Sequence, residues 1–233
     1  MLFEQRIYTL KPGTLAAFWQ AQRDRGFDLV RPILERQIGY FSAVSGAADQ
    51  VVHLYRYDGY DDWFQRLHGL YRVAALEPYF KTVRALMLAQ ENRFLVAAPL
   101  EQINPLWGGQ QDWLPSKGAL FRRATAKGRV VVEERTTVLL PGSLPLYWQA
   151  YREHGLQSLA EEAGELIGCF TTLVGRQHQI VQFRLFSDGA ERQSAVQNYF
   201  TQEFVHRVRD FVVSDEFRLL IPSDVPELSP MFA

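Results

Sequence analysis

One register shift lays this chain of 233 residues against itself. Glu4, Arg6, Leu10, Pro12, Gly13 and Leu15 reappear, at a constant offset, as Glu133, Arg135, Leu139, Pro141, Gly142 and Leu144. At the same offset Trp19, Gln20, Ala21, Arg23 and Gly26 return as Trp148, Gln149, Ala150, Arg152 and Gly155. Ile38, Gly39, Phe41, Gly46, Gln50 and Val52 likewise return as Ile167, Gly168, Phe170, Gly175, Gln179 and Val181. A shared run this long, with no insertion, is a duplicated domain rather than a recurring short motif. The register slips only after Tyr57 and Phe186, before Val83, Arg84, Glu91 and Arg93 meet Val208, Arg209, Glu216 and Arg218. Loops absorb such changes in length.

Within the first copy, Phe3 to Leu10 mixes β-branched and aromatic residues with polar ones and stops at Lys11, Pro12 and Gly13, which predicts a strand entering a turn. Thr14 is placed to cap a helix whose Leu15, Phe18, Trp19 and Gln22 share one face, with Gly26 and Pro32 interrupting its continuation. Gly39 to Ser45 and Gln50 to Tyr57 predict a hairpin turning through Gly46 to Asp49. A second helical region is expected over Asp61 to Leu88, broken near Pro78, before a last strand from Asn92 to Ala97. The order β-α-β-β-α-β is the ferredoxin-like split arrangement. The fold class is therefore α+β, with two ferredoxin-like repeats and antiparallel sheets. The second face of each sheet is covered most economically by the other copy, face to face, as an α+β barrel. The same faces are also suited to pairing between chains as a homo-oligomer. The domains expected are a first repeat at 1–100, a linker at 101–129, a degraded second repeat at 130–222 and a tail at 223–233. The linker carries Trp107, Trp113 and Pro115, too aromatic for a flexible tether, and is expected to pack along the surface. The tail, with Pro226 and Pro230, is expected to be extended, loose or lying on a neighbour.

Composition removes several function classes. Lys and Arg number 25 against 26 Asp and Glu, a net charge of −1. Interspersed in this way they form no basic stripe for nucleic acid and no polybasic membrane anchor. Cys169 is the one cysteine, which excludes an internal disulfide framework. No apolar run approaches the roughly 18 residues of a membrane span. The first strand begins so early that no leader fits ahead of it, so a cytoplasmic location is expected. G-x-G-x-x-G, Walker, G-x-S-x-G and H-E-x-x-H motifs are absent. His53, His68, His154, His178 and His206 lack paired ligand spacing, so neither a metal nor a cofactor is expected.

Four segments together resemble the NIPSNAP family: Glu4 to Gly13 (EQRIYTLKPG), Gly39-Tyr40-Phe41, Gln50 to Leu54 (QVVHL) and Gln90-Glu91-Asn92. The second copy keeps the pattern in weaker form as Glu133 to Gly142, Gly168-Cys169-Phe170 and Gln179 to Phe183. The resemblance implies the dimeric α+β barrel superfamily, which includes cofactor-free monooxygenases, haem-degrading enzymes and binding proteins. It brings no agreed reaction. Haem stays open by that analogy, with His53 or His68 as axial ligand.

Strand alternation singles out candidate residues. Glu4, Arg6 and Tyr8 share one face of the first strand, His53, Tyr55 and Tyr57 one face of the third, and Tyr40 opposes Phe41. With the apolar set turned to the helices, the polar set would line the barrel interior. That assigns catalysis to His53, Arg6 and Tyr8, with His53 as proton carrier and Arg6 holding an oxyanion, and ligand contact to Tyr40, Tyr55, Glu4 and Trp63. A small planar polar or aromatic ligand is the partner that fits such a set. Persistence of Glu133 and Arg135 in the second copy also suits a purely structural pair. Tyr8, Tyr40, His53 and Tyr55 give way there to Thr137, Cys169, Gln182 and Arg184, so the site is expected once per chain, in the first copy. Three readings stand: a small-molecule binder or cofactor-independent enzyme, a scaffold protein, and a haem oxidoreductase.

Overall fold

The structure, a computed structural model, describes residues 1–47, 49–159, 163–199 and 202–233. Ala48 of the expected hairpin turn lies outside the described residues, as do residues 160–162 and 200–201 of the second repeat.

The chain is α+β, made of two ferredoxin-like repeats with antiparallel sheets. The first runs β1 (Leu2–Leu10), α1 (Leu15–Arg25), α2 (Arg31–Leu34), β2 (Gln37–Ala43), β3 (Gln50–Tyr57), α3 (Tyr60–Tyr71), α4 (Glu77–Leu86) and β4 (Met87–Ala97). After a two-stranded ribbon, β5 (Ala124–Thr125) with β6 (Gly128–Arg129), the order recurs. It continues as β7 (Val131–Leu139), α5 (Leu144–Ala150), α6 (Leu156–Ser158), β8 (Glu165–Val174), β9 (Gln179–Phe186), α7 (Gly189–Tyr199), α8 (Glu203–Val208) and β10 (Val212–Pro222). The strand order is β4-β1-β3-β2 in one repeat and β10-β7-β9-β8 in the other, the split βαβ arrangement twice. By compactness the chain divides into one unit of Met1–Phe94, Leu114–Arg122 and Ile221–Ala233, and a second of Leu95–Trp113 and Arg123–Leu220.

Several shared residues have local reasons. Gly13 and Gly142 sit at φ 80° and 85°, the left-handed region that admits glycine at no steric cost. Pro32, Pro78 and Pro145 stand in the first turns of α2, α4 and α5, where the missing N–H is no loss. Gly39 and Gly168 sit at irregularities in the β2/β3 and β8/β9 ladders. Each lies beneath the ring two residues on, so an added Cβ would come within 2.8 Å of Phe41 and 2.7 Å of Phe170. The Gly-x-Phe pairing is thus a packing device that both repeats need.

Four expectations change. Thr14 precedes α1 but makes no side-chain cap; its hydroxyl donates instead to the Lys11 carbonyl at 2.7 Å. β4 starts at Met87 rather than at Asn92. The tail is not loose: Val225, Leu228, Met231 and Phe232 are buried. Ser229 Oγ donates to the Tyr40 carbonyl at 2.8 Å and the Gln37 side chain to the Leu228 carbonyl. Apolar side chains at this spacing gain more from burial than an extended tail loses in entropy. The linker does pack, but it buries Ile103, Trp107 and Trp113 in the core of the second unit, with Trp107 Nε1 donating to the Trp113 carbonyl at 3.0 Å.

The largest revision concerns the faces of the first sheet. Tyr8, Tyr40, Tyr55 and Tyr57 pack with Phe18, Val30, Ile33, Leu76 and Val83, all from the helical layer. The polar and aromatic set therefore lies under the helices, and the apolar set of Phe3, Phe41, Val52 and Leu54 is buried on the other face. The helices make this possible by bringing polar partners of their own. Tyr79 donates to Gln22 at 3.0 Å and Arg25 lies 4.7 Å from the centre of the Tyr79 ring.

Candidate functional site

The antiparallel registers place Arg6 opposite His53 on β1/β3 and Tyr40 opposite His53 on β2/β3. His53 is therefore flanked on both sides by cross-strand neighbours of the same face. Its ring centre lies 3.6 Å from Tyr40 and 4.3 Å from Tyr8. Tyr55 Oη donates to Tyr40 Oη at 2.9 Å and sits 3.4 Å from His53 Nδ1. Beside this group Arg6 pairs with Glu4 at 2.7 Å and lies 4.8 Å over the Tyr55 ring. Tyr57 Oη and Asn92 Nδ2 both donate to Glu4 at 3.3 Å. Six of the seven candidates, Glu4, Arg6, Tyr8, Tyr40, His53 and Tyr55, thus form one cluster. Trp63 stands apart on α3, edge-on to Phe94 at 4.9 Å.

The cluster is closed rather than hollow. Tyr40 and Tyr8 crowd the His53 imidazole, leaving no room for a haem at that nitrogen base, and His68 lies on an exposed part of α3 against Phe64. Burial, reinforced by Arg6 and Arg25, holds the His53 pKa well below its usual value, so the ring is neutral. Burial raises the Tyr8 phenol to about 12 and pushes Tyr40 and Tyr55 well up. These are phenols, not phenolate bases. His53 Nε2 is buried with no hydrogen-bond partner among the described residues.

That depressed histidine gives a stability dependence with a definite sign. The unfolded chain takes up a proton near pH 6.5 that the folded chain resists, so the stability His53 permits is complete above about pH 6.5 and falls below it. The fall is by up to about 1.4 kcal/mol per pH unit until the folded pKa is reached. Urea unfolding at pH 7.5 and pH 5 should show this loss. It should shrink in His53→Gln, which carries the residue found at this position in the second repeat; an unchanged pH dependence in that variant would count against the assignment.

In the second repeat the same layer opens. Replacement of Tyr8, Tyr40 and His53 by Thr137, Cys169 and Gln182 removes three rings, and a cavity of about 350 Å³ lies between sheet and helices. Its floor is Glu133, Arg135, Gln182, Arg184, Phe186 and Phe217, from β7, β9 and β10. Its walls include Tyr147 and Tyr151 from the α5 side, Ala195 and Tyr199 from α7, and Phe204 from α8. Tyr151 and Phe204 meet edge-on at 4.6 Å, as do Tyr147 and Phe204 at 5.2 Å.

The ion pairs have also been rewired. Arg135 does not hold Glu133 as Arg6 holds Glu4. It binds both carboxylate oxygens of Asp215, Nε to Oδ1 at 2.8 Å, and lies 3.6 Å over Tyr199. Thr137 Oγ1 adds a third bond to Asp215 at 2.9 Å, while Glu133 takes Arg192 of α7 at 2.6 Å. Burial of the Cys169 thiol raises it to about 12, which makes it an inert apolar filler.

Sequence reasoning missed the cavity because it took loss of aromatic residues as loss of a site. The available signal was the pair Tyr147 and Tyr151, one helical turn apart where the first copy has Phe18 and Gln22. Among the described residues no group of three or more His, Cys, Asp or Glu side chains is placed to hold a metal. No helix among them is long and apolar enough to cross a membrane.

Comparison with known proteins follows the same outline. The NIPSNAP family model matches residues 3–101 and again 132–226. Among solved structures, a protein from Lactobacillus acidophilus NCFM provisionally named a monooxygenase superposes at a TM-score of 0.59 and 12% identity, covering 95% of this chain and 93% of its own. One from Fusobacterium nucleatum, provisionally named likewise, gives 0.59 at 8% identity, covering 95% and 91%. At such identities the likeness is one of fold. An uncharacterised NIPSNAP-like domain protein from Burkholderia xenovorans is 32% identical, covering 42% of this chain and 86% of its own, with a TM-score of 0.40. No curated protein matches the chain.

Proposed function

The chain belongs to the NIPSNAP family, and from that premise we propose that it binds a small planar aromatic molecule with a polar edge between the sheet and the helices of its second repeat. The observation that carries this reading is the cavity itself, of about 350 Å³ and lined by six aromatic side chains together with Gln182, Asn198 and Gln202. A concave site of about 300–1,000 Å³, largely aromatic with a few polar groups, is what small-ligand sites have in common. In this reading the Glu4, Arg6, Tyr8, Tyr40, His53 and Tyr55 cluster is the filled counterpart of that site, and its rings occupy the place of a ligand.

Ala195, on the α7 wall, is the position at which to test it. Ala195→Trp should fill the cavity from the helix side. Native mass spectrometry of the full chain should detect a copurifying small molecule that the variant lacks. In a thermal-shift screen of planar aromatics, a ligand at 100 times its Kd should stabilise the parent by about 2.7 kcal/mol and the variant not at all, with circular dichroism confirming that the variant folds. Equal shifts in the two proteins, or no binder in either assay, would sink the reading.

A further inference from the structure

The charged groups around the cavity are already committed to protein partners, and this constrains the ligand. Arg135 is held through two of its nitrogens by Asp215. Glu133 is held by Arg192 at 2.6 Å. Arg184 Nη1 donates to the carbonyl oxygens of Ala163 and Gly164, both at 3.3 Å. Gln182 is different: it lines the cavity, and no hydrogen bond engages its amide among the described residues. It occupies the β9 position opposite both Arg135 on β7 and Cys169 on β8, at the middle of the floor.

Resting on the reading of this cavity as a ligand site, we propose that its ligand is an uncharged aromatic bearing a carbonyl, hydroxyl or carboxamide, and that Gln182 reads that group. The cost of burying a charge decides the matter. A carboxylate entering here loses its hydration, a penalty of several kcal/mol. To recover it the carboxylate must draw Arg135 from Asp215, which leaves that half-buried carboxylate with the Thr137 hydroxyl as its hydrogen-bond donor, or draw Arg184 from the Ala163 and Gly164 carbonyls. A neutral ligand avoids this exchange. Its hydrogen-bonding edge meets the Gln182 amide, which both donates and accepts, and its ring lies among Tyr147, Tyr151 and Phe204. A site built to bond such an edge also discriminates against a ligand that lacks it, because the amide would then be left unpaired.

Three probes of one shape test the proposal on the full chain by isothermal calorimetry at pH 7.5: 2-naphthamide, 2-naphthoate and naphthalene. 2-Naphthamide should bind at least about tenfold more tightly than 2-naphthoate, a difference of about 1.4 kcal/mol. Gln182→Leu should weaken 2-naphthamide by about tenfold and leave naphthalene unchanged. Naphthoate binding as tightly as the amide would overturn the uncharged-ligand inference while leaving the cavity a ligand site. An amide affinity indifferent to Gln182→Leu would overturn the role of Gln182. No binding of any probe, in a protein that Ala195→Trp also fails to alter, would overturn the cavity reading beneath both.

Discussion

Glu4→Ala is expected to lower the unfolding free energy by about 3–5 kcal/mol, because it strands a buried cation. Arg6 is 5% exposed and Glu4 not at all, and the 2.7 Å pair between them is the charge neutralisation on which that burial rests. Burial alone pulls the Arg6 pKa down; Glu4, with smaller contributions from Tyr55 and Tyr57, more than offsets it. Without Glu4 the guanidinium loses its counter-charge, and Tyr57 Oη and Asn92 Nδ2 lose an acceptor. Urea unfolding measures the loss. The double variant Glu4→Ala with Arg6→Met should recover part of it, since replacing both members of a buried pair by apolar groups is often neutral. A loss below 1 kcal/mol in the single variant would mean that water reaches Arg6 in solution.

Tyr55→Ala should cost a similar amount, about 3–5 kcal/mol as for other fully buried rings. Tyr55 is 1% exposed, stacks on Tyr57 with ring centres 6.0 Å apart, and gives its hydroxyl to Tyr40. For a chain of this length that corresponds to a fall in Tm of about 2–4 °C per kcal/mol. Arg184→Ala, the equivalent change in the second repeat, removes a side chain that lines existing space and should cost distinctly less. Equal losses at the two positions would contradict the picture of one filled layer and one open one.

Much of this architecture is legible in the residues. Lys11-Pro12-Gly13 and Leu140-Pro141-Gly142 end strands because glycine alone takes the required left-handed turn without strain. The pairing of Gly39 with Phe41 recurs as Gly168 with Phe170 because the ring needs the space a Cβ would fill. Alternation along β1 and β3 correctly grouped Glu4, Arg6 and Tyr8 with His53 and Tyr55, since period two is a property of the strand itself. It did not say which group meets the helices. Both faces are buried, so hydrophobicity could not distinguish them, and the choice fell to the polar partners that Gln22, Arg25 and Tyr79 bring from α1 and α4.

The cavity was illegible for a related reason. Thr137, Cys169 and Gln182 read as a faded copy of Tyr8, Tyr40 and His53, and a list of residues records what was lost, not the volume left behind. Nor does identity of residues imply identity of contacts: Arg6 and Arg135 are the same residue at the same register, yet one pairs within its strand and the other reaches Asp215 on β10. What the residues determined by themselves is the duplicated β-α-β-β-α-β order, its turns and the grouping of side chains along each strand, all set by local backbone sterics and by periodicity. What only the tertiary structure decided is which face lies under the helices, which partner each buried charge takes and where in the second repeat a cavity opens between sheet and helices. Those depend on how side chains distant in sequence fill a common space.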